Sequence, residues 1–148
     1  MKRLRKELTV RSVAPATVGA HFESPLYASQ PAAGFPAPGD DLVEQPLDLN
    51  DLLIDNPTST FFVKVSGDSM EGARIFDGDI LVIDRSIEPK PGLIVVAAVY
   101  GELVVKRLQK TSTGLALVSE NADYQPILID DTEGCFIWGV VSGSVRVL

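Results

Sequence analysis

The sequence predicts a mostly β protein: one rolled β domain over residues 47–148, an extended arm over 1–46, and a short helix near their junction. Three observations lead there. From residue 60 onward, seven short runs rich in Val, Ile and Phe follow one another, punctuated by Gly, Pro or Asp. Apolar residues at helical spacing occur in one short stretch. Six of the ten prolines fall within the first 46 residues.

The arm holds Pro15, Pro25, Pro31, Pro36, Pro38 and Pro46 among many Ala, Gly and Ser residues. Such a segment buries too little apolar surface to offset the entropy of ordering it, so it stays extended or mobile unless it docks. Its middle, Gln30-Pro31-Ala32-Ala33-Gly34-Phe35-Pro36, suits threading through a narrow groove. The helix is expected over 48–55. Asp48 caps it, Leu49, Leu52 and Leu53 form one face to pack on the sheet, and Asn56-Pro57 ends it.

The strands are expected at 60–66, 79–84, 93–99, 102–109, 115–119, 126–129 and 135–147. Phe76-Asp77-Gly78-Asp79 and Lys90-Pro91-Gly92 read as turns. Tyr100-Gly101 suggests a two-residue hairpin; Tyr is a poor first residue where φ must be positive, so a longer turn is the alternative. Strands at this spacing make a rolled all-β domain rather than a parallel α/β sheet.

The net charge is −7, unevenly spread. Residues 1–11 carry five basic groups (Lys2, Arg3, Arg5, Lys6, Arg11) and one acid, Glu7, leaving 8 basic and 19 acidic residues over 12–148. An acidic body tracks a phosphate backbone poorly, so sequence-specific DNA binding is not expected. The basic start reads as a solvated end, or as a contact for nucleic acid or an acidic partner. No apolar run is long enough to span a bilayer and no signal-peptide core follows the basic start, which favours the cytoplasm. The single Cys135 excludes an internal disulfide and carries no metal-ligand spacing; it reads as a small buried residue near a strand. No cofactor is implied.

Serine chemistry is the main candidate. Ser69 follows the apolar run Phe61-Phe62-Val63-Lys64-Val65, and Lys106 lies 37 positions later inside Leu103-Val104-Val105-Lys106-Arg107-Leu108. His21, the one histidine, lies in the arm, and the Gly-x-Ser-x-Gly elbow is missing, so a Ser–His–Asp triad is poorly supported. A lysine is ordinarily protonated at neutral pH, and burial among apolar side chains favours its neutral form. Lys106 is placed for that, and as a neutral amine it would take the proton of Ser69 Oγ during attack on a carbonyl. From the residues alone other roles stay open. A strand lysine ordinarily faces solvent, and a serine in a Gly-Asp-Ser loop ordinarily makes a turn. Lys64 is a rival base and Ser66 a rival nucleophile. Asp77, Asp79 and Asp84 read as turn residues or as a cation cluster, without the spacing of an EF-hand loop. Tyr100, Tyr124 and Trp138 are scattered and form no base-stacking platform.

Ser66-Gly67-Asp68-Ser69-Met70, Phe76-Asp77-Gly78-Asp79 leading into Ile80-Leu81-Val82-Ile83-Asp84, and Gly101-Glu102-Leu103-Val104-Val105-Lys106-Arg107-Leu108, in this order, resemble the self-cleaving family of LexA repressors and UmuD proteins. The likeness covers roughly residues 30–148 and is strongest to the UmuD branch. It implies a curved, mostly antiparallel β domain that dimerises. It implies Ser69 as nucleophile and Lys106 as general base, with the backbone amides of Asp68 and Ser69 as oxyanion donors. The family cuts between a small residue and glycine in its arm, which Ala33-Gly34 matches here; UmuD proteins usually have Cys-Gly at this point and LexA repressors Ala-Gly. LexA repressors carry a helix-turn-helix before the cut, and residues 1–32 are too short and proline-rich for one. The resemblance thus implies a serine endopeptidase that trims itself in the SOS response. Its trigger would be RecA on single-stranded DNA, and its trimmed homodimer would assist a UmuC-like Y-family polymerase subunit in translesion synthesis. The alternative is a non-catalytic dimeric β module that regulates an error-prone DNA polymerase.

Overall fold

Strand formation begins with local chemistry. β-Branched and aromatic residues crowd each apolar run, and glycine or aspartate supplies the turn where it ends. The computed structural model describes residues 6–17, 24–27, 43–129 and 134–148. Its main sheet contains β1 (Thr9–Pro15), β4 (Thr60–Ser66), β5 (Ile80–Asp84), β6 (Ile94–Val99), β7 (Glu102–Thr111), β8 (Gly114–Val118), β9 (Ile127–Ile129) and β10 (Cys135–Val145). A separate antiparallel pair joins β2 (Ser24–Tyr27) to β3 (Val43–Leu47). The main sheet runs β1-β4-β5-β10-β6-β7-β8-β9, and β1 also meets β7, with Thr9 opposite Val104. That last pairing closes six strands into a ring and leaves β8 and β9 as a flap beyond β7. Every strand pairing is antiparallel. The mostly β, rolled antiparallel class expected from the sequence is the one observed.

Two apolar clusters lie on opposite faces of the sheet. Leu8, Val63, Val65, Met70, Ile75, Leu81, Ile83, Val96 and Val105 fill one; Val95, Ala97, Val104, Leu108, Leu117 and Val140 fill the other. Strand β6 contributes to both, which explains why Ile94-Val95-Val96-Ala97-Ala98-Val99 is apolar without alternation. Each fully buried Val, Leu or Ile side chain is worth ~1.5–3 kcal/mol of burial. Strand β10 pairs with both β5 and β6, and its register shifts between Ile137 and Gly139 and again between Val141 and Gly143. These bulges sharpen the strand's twist and help the sheet roll.

All seven expected strands are present, with ends displaced by at most two residues. Three strands that begin within 1–46 are not among the expected ones. The most consequential is β1, which docks a piece of the presumed arm along β4, from Thr9 opposite Ser66 to Pro15 opposite Phe61. The helix α1 (Leu49–Leu53) is capped by Asp48, whose carboxylate accepts from the Asn50 amide at 2.8 Å. Its expected apolar face is not packed as a unit: Leu49 and Leu52 are exposed. Only Leu53 is partly buried, with its side chain beside Gly143 of β10, so the helix meets the sheet by one edge of that face. The β6–β7 turn is the two-residue form rather than the longer alternative. Val99 pairs with Glu102, so the loop is two residues, with Tyr100 at φ 49° and Gly101 at φ 83°. The left-handed tyrosine costs about 1 kcal/mol, offset by its amide donating to the Gly134 carbonyl at 2.6 Å. Cys135, expected buried, is partly buried against the second cluster.

Candidate active site

Ser69 lies in the loop that leaves β4 and leads into a short 3-10 turn at Glu71–Ala73. The Asp-Gly-Asp turn braces this loop. Asp77 accepts from the Gly67 amide at 3.0 Å, and the Gly78 amide donates to the Val65 carbonyl at 2.8 Å. Asp79 accepts from the Phe76 amide at 2.9 Å and from Arg146 through both carboxylate oxygens, at 2.8 and 3.0 Å. The Arg146 hydrogen bonds, joined by the one from Phe76, outweigh burial and hold the Asp79 carboxyl below its ordinary range. Asp84 works elsewhere, on Asn56, Ser59 and Ser86. The three aspartates therefore serve separate hydrogen-bond networks rather than one cation. Among the described residues no group of three or more His, Cys, Asp or Glu is placed to hold a metal ion.

Lys106 stands in the middle of β7, on the same face as Val104 and Leu108 by strand alternation, and only 1% of it is exposed. Its Nζ donates to Ser119 Oγ at 2.6 Å and lies 2.7 Å from Glu7 Oε1 and 5.6 Å from the centre of the Tyr124 ring. The contact with Glu7 is an ion pair without hydrogen-bond alignment, because Oε1 is buried and no donor is aimed at it. The rivals are placed differently. Lys64 is exposed on β4, and Ser66 lies at the end of that strand opposite Thr9.

Loop 119–124 ties the serine loop to the lysine. Besides the Ser119 contact, the Gly72 amide donates to the Glu120 carbonyl at 2.9 Å, and Asn121 Nδ2 donates to the Asp68 carbonyl at 3.3 Å. Tyr124 donates its hydroxyl to Asp68 Oδ1 at 2.7 Å. Arg107, next to Lys106, pairs with Glu120.

Ser69 and Lys106 meet the same tripeptide, Lys6-Glu7-Leu8. Ser69 Oγ accepts from the Leu8 amide at 2.9 Å, and Lys106 pairs with Glu7. The Asp68 amide, one of the two expected oxyanion donors, donates to the Lys6 carbonyl at 2.7 Å. Ser69 is fully buried beneath this segment. Gly67 (φ 122°) has no room for a side chain, since a Cβ there would stand 2.1 Å from the Glu7 carbonyl oxygen. Glu7, Ser119 and Tyr124 were not singled out as site residues from the sequence. The lone acid in a basic stretch was the one visible signal for Glu7. Ser119 becomes legible only from the β7–β8 register, in which Arg107 faces Val118. Ala33, Gly34 and His21 lie outside the described residues.

The model of the Peptidase S24-like family matches residues 25–142. The chain is 43% identical over 122 residues to the MucA protein of Salmonella typhimurium, covering 82% of this chain and 83% of the relative. It is 42% identical over 126 residues to the ImpA protein of Escherichia coli, covering 84% and 85%. It is also 36% identical over 118 residues to a LexA repressor of Thiobacillus denitrificans, covering 79% of this chain and 58% of the repressor.

Proposed function

The chain belongs to the Peptidase S24-like family and is of the UmuD type, and from that premise we propose that it is a serine endopeptidase that cuts its own arm between Ala33 and Gly34. The observation that carries this reading is the convergence of Ser69, Lys106 and the Asp68 amide on one extended tripeptide, Lys6-Glu7-Leu8, the first and last through its backbone and Lys106 through the Glu7 carboxylate. A nucleophile, a basic side chain and a carbonyl-binding amide around one extended peptide are the parts an acyl transfer needs.

In the proposed reaction Lys106 acts as a neutral amine. It takes the proton of Ser69 Oγ as that oxygen attacks the Ala33 carbonyl carbon. The developing oxyanion is stabilised by the amides of Asp68 and Ser69. Collapse breaks the Ala33–Gly34 bond, and the Gly34 nitrogen leaves with the proton carried by Lys106. Water, deprotonated by Lys106, then hydrolyses the acyl-Ser69 ester, giving fragments 1–33 and 34–148 and regenerating the serine.

The biological setting is part of the proposal. The protein works in the cytoplasm as a homodimer within the SOS response to DNA damage. A RecA–single-stranded DNA filament promotes cutting, and the trimmed dimer assists a UmuC-like Y-family polymerase subunit in translesion synthesis. It makes no sequence-specific DNA contact and no membrane contact. Among the described residues no helix is long and apolar enough to cross a membrane. The test is the chain's fate after DNA damage in cells that make wild type, Ser69→Ala or Lys106→Ala. Trimming in the wild type alone agrees with the proposal. Intact chains that still support mutagenesis would favour the non-catalytic polymerase regulator.

A further inference from the structure

Strand-like backbone bonding seats Lys6–Leu8 between the serine loop and β7. On one side the Lys6 carbonyl accepts from the Asp68 amide at 2.7 Å and the Lys6 amide donates to Asp68 Oδ1 at 3.1 Å. On the other the Leu8 carbonyl accepts from the Val105 amide at 3.1 Å, and Thr9 continues into the sheet opposite Val104. Leu8 is fully buried in the first apolar cluster, beside Val65, Met70 and Val105. Backbone hydrogen bonds from both walls, with one side chain in a pocket, are the general means by which a groove takes an extended peptide.

This seating is wrong for cutting. In an acyl transfer the carbonyl held by the oxyanion donors and the amide that leaves belong to the same peptide bond. Here the carbonyl on the Asp68 amide belongs to Lys6 and the amide on Ser69 Oγ to Leu8, with Glu7 between them. A Ser69 Oγ lone pair is engaged by an N–H rather than aimed at a carbonyl carbon. The Glu7 carboxylate uses Lys106 as a cationic partner, the opposite of the role of a base.

We propose that Lys6–Leu8 is a built-in pseudosubstrate: it occupies the groove that Ala33–Gly34 must enter, and self-cleavage requires it to leave. The inference rests on the peptidase reading above and adds its regulation. The competitor lies upstream of the scissile bond, so the cut severs it from the domain. Tethered, it competes at the high effective concentration of an intramolecular ligand; after the cut that advantage is lost.

The test uses the full chain as wild type, Glu7→Gln and Glu7→Lys. One readout is the rate at which 34–148 appears at alkaline pH. The other is hydrogen exchange of the Val105 amide at neutral pH, which reports the seated segment whether or not cutting occurs. Charge reversal beside Lys106 is expected to speed cutting by about tenfold and to speed Val105 exchange by a similar factor. Glu7→Gln is expected to move both readouts the same way by less. Rapid Val105 exchange in the wild type would overturn the proposal. So would variants that leave exchange unchanged, or that free the segment and cut no faster. If no chain is cut, the peptidase reading fails; slow Val105 exchange that Glu7→Lys accelerates would still support Lys6–Leu8 as the occupant of the groove.

Discussion

Lys106 Nζ and Ser119 Oγ are 2.6 Å apart, across the β7–β8 hairpin from one another. The serine hydroxyl therefore fixes where the amine sits, and the groups that face the amine are Glu7, Ser119 and the Tyr124 ring. A base must be aimed as well as deprotonated. Ser119→Ala is expected to slow self-cleavage by about tenfold, the usual scale for one lost hydrogen bond to a charged or reacting group. It should also change the pH–rate profile, and Ser119→Thr should restore both. A merely structural serine would leave the profile of a folded variant unmoved.

Tyr124 holds the two halves of the site together, with its hydroxyl on Asp68 and its ring beside Lys106. Tyr124→Phe keeps the ring and removes the hydrogen bond. Denaturant unfolding should show a loss of about 1.5–3 kcal/mol, because the acceptor is a carboxylate. Self-cleavage should fall several-fold as the Asp68 backbone loosens. Equal stability and equal rate would remove Tyr124 from the account.

Gly67 faces the Glu7 carbonyl with no space between them, in a left-handed conformation that disfavours any side chain. Gly67→Ala meets both obstacles and should destabilise the fold by about 2 kcal/mol or more. Thermal unfolding checks the size of the loss. Exchange of the Val105 amide checks that residues 6–8 are displaced from the loop.

Acid should destabilise the protein through Asp84. Burial pushes its carboxyl upward, but hydrogen bonds from Ser86, Asn56 and Ser59 win and hold it at about 2, against an ordinary 3.8. A group depressed in the folded state contributes stability above its unfolded value and loses it as pH falls toward the folded one. The loss should therefore develop from about pH 4 downward and amount to about 2 kcal/mol. Asp84→Asn should be less stable at neutral pH and show a flatter acid limb in unfolding experiments followed across pH.

The strands and the serine loop were legible because their signals are local. Val-rich runs, Gly-Asp turns and the Asp48 cap each decide their own geometry within a few residues. Strand β1 was not legible. Val10-Arg11-Ser12-Val13-Ala14-Pro15 lacks the alternation of a half-buried strand, is exposed over most of its length and ends in proline, and it becomes a strand only because β4 and β7 offer it edges. The same holds for the site. Ser69 and Lys106 stand out from their own neighbourhoods, whereas Glu7 and Ser119 gain meaning only from long-range register. Leu49 and Leu52 show the converse: spacing made a face, but only its Leu53 edge meets the sheet.

The central claim is that Ser69, with Lys106 as its base, cuts the arm at Ala33–Gly34. The most direct measurement is the intact mass of purified protein after incubation at alkaline pH, which favours a neutral lysine. The wild type should lose residues 1–33 and leave a fragment of 34–148, faster as pH rises, while Ser69→Ala and Lys106→Ala keep their full mass. Cleavage at Ala33–Gly34 that persists in either variant, or a wild-type chain that stays whole, would contradict the account.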